Sequence, residues 1–197
     1  MASRRGRLIV IAGPSGVGKG SVVKGLLARD PEGLALSVSA TTRDPRSNEV
    51  EGRDYRFVDV ASFRELAESG GLLEWADVFG NAYGTPAAEV EHQLDAGRDV
   101  ILEIDVQGAR QVKERAPNAL LIFLAPPSLG DLEARLRGRG TESEERMARR
   151  LEKAAWEITQ AGWFDHVVVN DALERATDQV AAIIDASRSE PPEESAR

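Results

Sequence analysis

Cysteine is absent from the 197-residue chain. A disulfide scaffold and a thiolate metal site are therefore excluded, and an oxidising compartment would find nothing to bridge. Histidine occurs twice, as His92 and His166; one falls in a helical pattern and the other near a strand start, and neither is assigned a catalytic role. No apolar run approaches the ~20 residues of a membrane-spanning helix. Lysine and arginine number 25 against 33 aspartates and glutamates, a formal net charge of −8. That balance excludes a broad basic surface for nucleic acid, so any anion site must be a local concentration of arginine. Arg4, Arg5 and Arg7 form a basic start, but the apolar run after them is too short for a signal-peptide core, and they read as a solvated arm. With 42% hydrophobic residues for a core, the expectation is one domain with sub-lobes, placed in the cytoplasm, with no membrane, nucleic-acid or obligate protein partner.

What is present begins with a loop. Gly13-Pro14-Ser15-Gly16-Val17-Gly18-Lys19-Gly20-Ser21 directly follows the β-branched run Leu8-Ile9-Val10-Ile11-Ala12. The spacing Gly13-x-x-x-x-Gly18-Lys19 after a strand places backbone N–H groups around a polyphosphate at a helix N-terminus, with Lys19 reaching the terminal phosphates. One position is irregular: Gly20 stands where Ser or Thr is expected to hold Mg²⁺, and Ser21 comes one residue late.

Apolar runs then alternate with helical patterns, the signature of a parallel sheet with crossover helices. The pattern predicts a helix from Lys19 to about Ala28 and a strand from Leu34 to Val38. From Ser39 to about Thr85 the regular order breaks into an inserted sub-lobe rich in Gly, Arg, Asp and Glu. It holds short β-like pieces at Tyr55 to Val58 and Leu72 to Phe79, and a short helix near Phe63 to Glu68. Regular order resumes with a helix from Pro86 to Gly97, a strand from Asp99 to Asp105, a helix near Ala109 to Glu114 and a strand from Leu120 to Leu124. Helices at Leu129 to Arg137 and Glu142 to Ala161 flank a Gly138-Arg139-Gly140 break. Val167 to Val169 is the last strand, Leu173 to Ala186 the last helix, and the tail from Arg188 reads as disordered.

Charged residues supply the candidate chemistry. Glu103 and Asp105 fall on the same side at the C-terminal end of a strand, where ligands of open α/β sheets gather, and one of them could order the water shell of Mg²⁺. The competing reading, that a carboxylate caps the next turn, suits Glu103 better than Asp105. Among the later arginines, i,i+4 spacing pairs Asp131 with Arg135, Glu142 with Arg146 and Glu145 with Arg149, whereas Arg139 and Arg150 have no such local acid. Arginines of that kind beside a glycine-hinged segment suit a lid over a triphosphate. In the sub-lobe, Arg43, Arg46, Tyr55 and Tyr83 suggest a bound monophosphate. Glu74, in Leu72 to Phe79, is at least partly buried and needs donors. Guanine offers paired donors for it, although a salt-bridged strand residue is the simpler reading.

Taken together the residues resemble the guanylate kinase family, bacterial type, from Arg7 to about Asp185. The resemblance is carried by Gly13 to Lys19, Ser37 to Arg46, Glu51-Gly52-Arg53-Asp54-Tyr55, Leu73-Glu74-Trp75-Ala76, Tyr83-Gly84-Thr85-Pro86, Leu102 to Gly108 and Arg137-Gly138-Arg139-Gly140-Thr141. It implies an α/β P-loop nucleoside monophosphate kinase fold. The parallel-sheet core would be built from residues 1–38, 86–137 and 151–187, with an inserted GMP-binding lobe at 39–85, a lid at 138–150 and a tail at 188–197. It implies transfer of the ATP γ-phosphoryl group to GMP, and also to dGMP, with Mg²⁺ accompanying ATP. By this resemblance Ser39, Glu74, Thr85 and Asp105 would contact guanine. Arg43, Arg46, Tyr55 and Tyr83 would hold the GMP phosphate, with Glu49 supporting the arginines. Lys19, Arg139 and Arg150 would stabilise the transferred group, Arg43 counting with them as catalytic. ATP would lie on Gly13, Pro14, Ser15, Gly16, Val17, Gly18, Lys19, Gly20 and Ser21, with Asn170 near its adenine. Gly20 leaves no protein side chain as an assured direct metal ligand. Two rivals are a non-catalytic module that reuses the monophosphate pocket for a phosphorylated protein, and a kinase acting on a phosphorylated sugar.

Overall fold

Every residue of the first strand, β1 (Leu8–Ala12), is buried, as expected of a strand with neighbours on both edges and helices on both faces. In the computed structural model, which describes residues 4–78, 80–138 and 144–189, the strands that follow are β2 (Leu34–Leu36), β3 (Ala40–Thr41), β4 (Arg56–Phe57), β5 (Leu72–Val78), β6 (Asn81–Pro86), β7 (Asp99–Glu103), β8 (Leu120–Ala125) and β9 (His166–Val169). The helices are α1 (Lys19–Arg29), α2 (Val60–Glu68), α3 (Ala87–Asp95), α4 (Val106–Arg115), α5 (Leu129–Arg137), α6 (Glu144–Thr159) and α7 (Leu173–Ser189).

The main sheet is parallel in the order β2-β7-β1-β8-β9. Strand alternation divides its side chains between two cores. Ile9, Ile11, Ile101, Ile122 and Leu124 pack on α1, α5, α6 and α7 through Leu26, Leu132, Met147 and Ile184. Val10, Leu102, Leu121 and Phe123 pack on α3 and α4 through Val90, Leu94, Val106 and Val112. A second sheet, in the order β4-β3-β6-β5, is covered by α2, whose Phe63 meets Leu72 and Ala40. The loop after β1 and Glu103 at the end of β7 lie on adjacent strands, with Ile11 registered against Glu103. Both therefore open at the C-terminal edge of the sheet.

Several expectations are corrected. β6 is a full strand paired antiparallel to β5; Gly84 and Pro86 disguise it, because both residue types are poor in strands. β7 ends at Glu103, and Asp105 instead caps α4, accepting from the Gln107 and Gly108 N–H groups at 3.0 Å each. The capping role expected of Glu103 thus belongs to Asp105, and α4 starts at Val106 rather than Ala109. Arg188 is no part of a loose tail. It lies in α7 and binds Asp99 and Asp30 at 2.7 Å each. The basic start is exposed at Arg4 and Arg5 as expected, but it is tied down: Arg4 pairs with the fully buried Asp99, and Arg5 with Asp95 and Glu91. Buried Asp99 draws Arg4 and Arg188 because an uncompensated carboxylate in the interior is strongly unfavourable. Glu142, Ser143 and the Arg139 segment lie outside the described residues.

Candidate functional site

The loop from Gly13 to Gly18 turns β1 into α1. Gly18 is the N-cap, with φ +101°, a left-handed value that a side chain would strain. A Cβ there would also lie 2.6 Å from Asn170 Nδ2. No side chain caps α1; the Ser21 and Val22 N–H groups turn onto the Gly18 carbonyl, and the N–H groups at the start of the helix point at the site an anion would take. Lys19 Nζ donates to the Gly13 and Pro14 carbonyls at 2.7 and 3.3 Å. Burial lowers its pKa, opposed by the carboxylates of Glu103, Glu157 and Asp105.

Three side chains brace this loop. Asn170 Nδ2 donates to the Val17 carbonyl at 2.7 Å. Arg135 donates to the Asn170 carbonyl at 2.8 Å. It does not pair with Asp131 as i,i+4 spacing suggested, because Asp131 is engaged in a helix-capping exchange with Ser128. A Ser-x-x-Asp capping pattern was the sequence signal that released Arg135. From α6, Arg150 Nη2 reaches Ser15 Oγ at 2.8 Å, whereas Arg149 forms, among the described residues, only the expected exposed pair with Glu145.

A second cluster gathers in and beside the smaller sheet. Arg43 meets both oxygens of Glu49 at 2.9 Å and donates to the Tyr83 hydroxyl at 3.2 Å. Its guanidinium lies 5.4 Å from the Tyr55 ring centre. Glu49 also accepts from the Arg46 backbone N–H, and that bond, followed by the Arg43 pair, holds its pKa low. Ser39 leads into β3 and accepts through its carbonyl from Arg56 N–H at 2.9 Å.

Glu74 is buried on β5 and accepts from Thr85 Oγ1 at 2.7 Å. Among the described residues it has no ion-pair partner, so the salt-bridged reading is corrected. Burial raises its pKa, Thr85 opposes the rise and Asp105 adds to it. Two features that sequence reasoning missed surround it. A Cβ on Gly108 would lie 2.8 Å from Glu74 Oε2, so a larger residue in α4 would make the carboxylate shift from the place it holds. Next along β5, Gln111 bonds both the N–H and the carbonyl of Trp75, at 3.1 and 2.9 Å. A side-chain amide so placed takes the part of a neighbouring strand. Asp105, whose burial works against its charge, is nevertheless held below its usual pKa by the Gly108 and Gln107 N–H groups and Lys153.

The phosphate loop lies beside the end of β7, the buried Glu74, with no ion-pair partner among the described residues, lies against α4, and the arginine–tyrosine cluster sits in the smaller sheet that carries Glu74. The family profile described as guanylate kinase matches residues 5–187. The chain belongs to the guanylate kinase family. It is 52% identical over 183 residues to the guanylate kinase of Aromatoleum aromaticum, covering 93% of this chain and 89% of that one. It is 53% identical to that of Thermus thermophilus, covering 95% and 83%. The crystal structure of guanylate kinase from Anaplasma phagocytophilum superposes with a TM-score of 0.76 at 36% identity, covering 96% and 90%. Of the residues that the guanylate kinase resemblance nominated, Arg139 lies outside the described residues. Asn170 is buried with its amide on the Val17 carbonyl, so it meets the loop from beneath.

Gly20 has its own environment. A Cβ there would stand 3.3 Å from Glu103 Oε2, so a serine at this position would face Glu103 and could donate to it. Gly20→Ser is expected to keep turnover within about threefold, the scale of a mild surface change, and Ser21→Ala to lower it modestly. ADP release at varied Mg²⁺ checks both; loss of all activity in either variant would contradict the expectation.

Proposed function

We propose that this chain transfers the γ-phosphoryl group of ATP to GMP, giving ADP and GDP, and accepts dGMP as well. The observation that carries the reading is Glu74: a buried carboxylate with no ion-pair partner among the described residues, held by Thr85, which suits the paired N–H donors of guanine. A sugar phosphate has no such pair of donors. In this reading Ser39, Glu74, Thr85 and Asp105 take the base. Arg43, Arg46, Tyr55 and Tyr83 take the phosphate, with Glu49 orienting Arg43. The loop from Gly13 to Ser21 and Lys19 take the ATP phosphates, with Asn170 beneath. Residues 39–85 form the GMP lobe and 138–150 the lid, and the cytoplasm supplies both nucleotides.

A GMP phosphate oxygen is already anionic and needs no base. The protein positions it in line with the γ-phosphorus and neutralises charge through Lys19, Arg43, Arg139 and Arg150. Among the described residues no group of three or more acidic or histidine side chains could cage a metal. Glu103, facing Gly20 and Lys19, suits a Mg²⁺ ion carried mainly by phosphate oxygens and water. That ion would supply charge neutralisation between the phosphates. Incubation with ATP, GMP and Mg²⁺ followed by chromatography should show equal ADP and GDP, and chelation should stop the reaction. ADP without GDP would overturn the proposal.

Arg150 and Arg149 provide an internal comparison. Arg150→Ala should slow turnover by about 10²-fold or more, because it removes a cation held against the phosphate loop. Arg149→Ala, losing only an exposed pair, should stay within about twofold. Steady-state kcat at saturating nucleotides decides; equal losses at the two positions would contradict the assignment.

A further inference from the structure

On α6, Arg150, Lys153 and Glu157 are spaced i, i+3 and i+7, which sets them along one face. That face meets both halves of the site. Arg150 holds Ser15 of the phosphate loop, and Lys153 Nζ donates to Asp105 Oδ2 at 3.0 Å. Asp105 Oδ1 is already occupied by the Gln107 and Gly108 N–H groups that it caps. Oδ2 is therefore the oxygen with no backbone donor, left to meet a ligand beside Lys153, which fixes where it points. Behind Lys153 lies Glu157, buried to 2% exposure, with its Oε1 3.9 Å from Nζ.

Asp105 lies close enough to two buried carboxylates, Glu74 and Glu157, to raise the pKa of each. Lys153 stands between Asp105 and Glu157. Its ammonium favours the charged form of both Asp105 and Glu157, and a charged Asp105 keeps its full acceptor capacity toward a donor such as guanine N–H. An ion pair as exposed as this one contributes little to folding stability, so its effect should be read in ligand recognition.

We propose that Lys153 is a positioning residue of the guanine subsite, acting through Asp105 and linking that subsite to the helix that carries Arg150. The inference rests on the guanylate kinase reading of Asp105. Lys153→Met keeps the aliphatic stem and removes the charge. It is expected to raise the KM for GMP about tenfold while the KM for ATP and the melting temperature stay unchanged, and Lys153→Arg should restore most of the loss. In the Asp105→Asn background the same substitution should add nothing, since the two residues would share one pathway. An unchanged GMP KM, an equal rise in the ATP KM, or full additivity with Asp105→Asn would overturn the proposal. Wild-type turnover of GMP, and its sensitivity to Asp105→Asn alone, would stand as the separate check on the underlying function.

Discussion

Replacing Lys19 by alanine is expected to lower kcat by about 10³-fold while GMP affinity, measured by calorimetry, stays within about twofold. Lys19 is the cation at the start of α1, turned onto the loop carbonyls of Gly13 and Pro14. Burial lowers its pKa, and Glu103 is the first of the carboxylates that favour its charge. Charge that develops on a transferring phosphoryl group is best stabilised by a donor already in place, so the loss should fall on the chemical step. GMP is assigned to the other sheet, through Arg43, Tyr83 and Glu74. A fall in GMP affinity as large as the fall in rate would contradict this division of labour.

Glu74→Gln is expected to weaken GMP by about 2 kcal/mol or more, roughly 30-fold in kcat/KM, with the KM for ATP unchanged. An amide presents a donor where the carboxylate presented two acceptors, which leaves one guanine N–H facing another donor. The same substitution should act oppositely on stability. Burial raises the pKa of Glu74 in the folded chain, so the folded state holds its proton more tightly than the unfolded state. That preference contributes stability that is fully present below the ordinary glutamate pKa and is lost as pH rises through the raised folded value. Above that value the wild-type chain carries a buried charge, and the neutral amide avoids it. The ligand-free Glu74→Gln variant should therefore melt higher than wild type at neutral pH, and the difference should shrink on acidification toward pH 4. Unaltered selectivity for GMP over AMP would remove the guanine assignment, and a lower melting temperature at neutral pH would remove the electrostatic account of Glu74.

Much of this site was legible because its parts are local. The glycine spacing before Lys19 needs only a strand and a helix around it, and α1 starts at Lys19 as the loop pattern required. The β-branched and leucine-rich runs that became β1, β7 and β8 are buried on both faces and read as continuous apolar stretches. What sequence spacing could not show were choices made across the fold. Arg135 had an acid four residues away but is drawn to the Asn170 carbonyl. Asp105 had the position of a ligand group and also became a helix cap. Arg4 and Arg188, far apart in the chain, meet on one buried carboxylate, Asp99. The role of Gly108 depends on the approach of Glu74 from another strand. Each is a non-local competition for a partner, and helix or strand periodicity carries no information about it.

Acceptor selectivity tests the central claim most directly. ADP release should be measured with ATP and Mg²⁺ against GMP, dGMP, AMP, UMP, dTMP and a ribose bisphosphate. A site built around a buried, uncompensated carboxylate should turn over GMP and dGMP, with kcat/KM for the other acceptors lower by about 10²-fold or more, as expected when buried polar groups are left unpaired. Efficient turnover of AMP or of the sugar phosphate, or no ADP release with any acceptor, would contradict it.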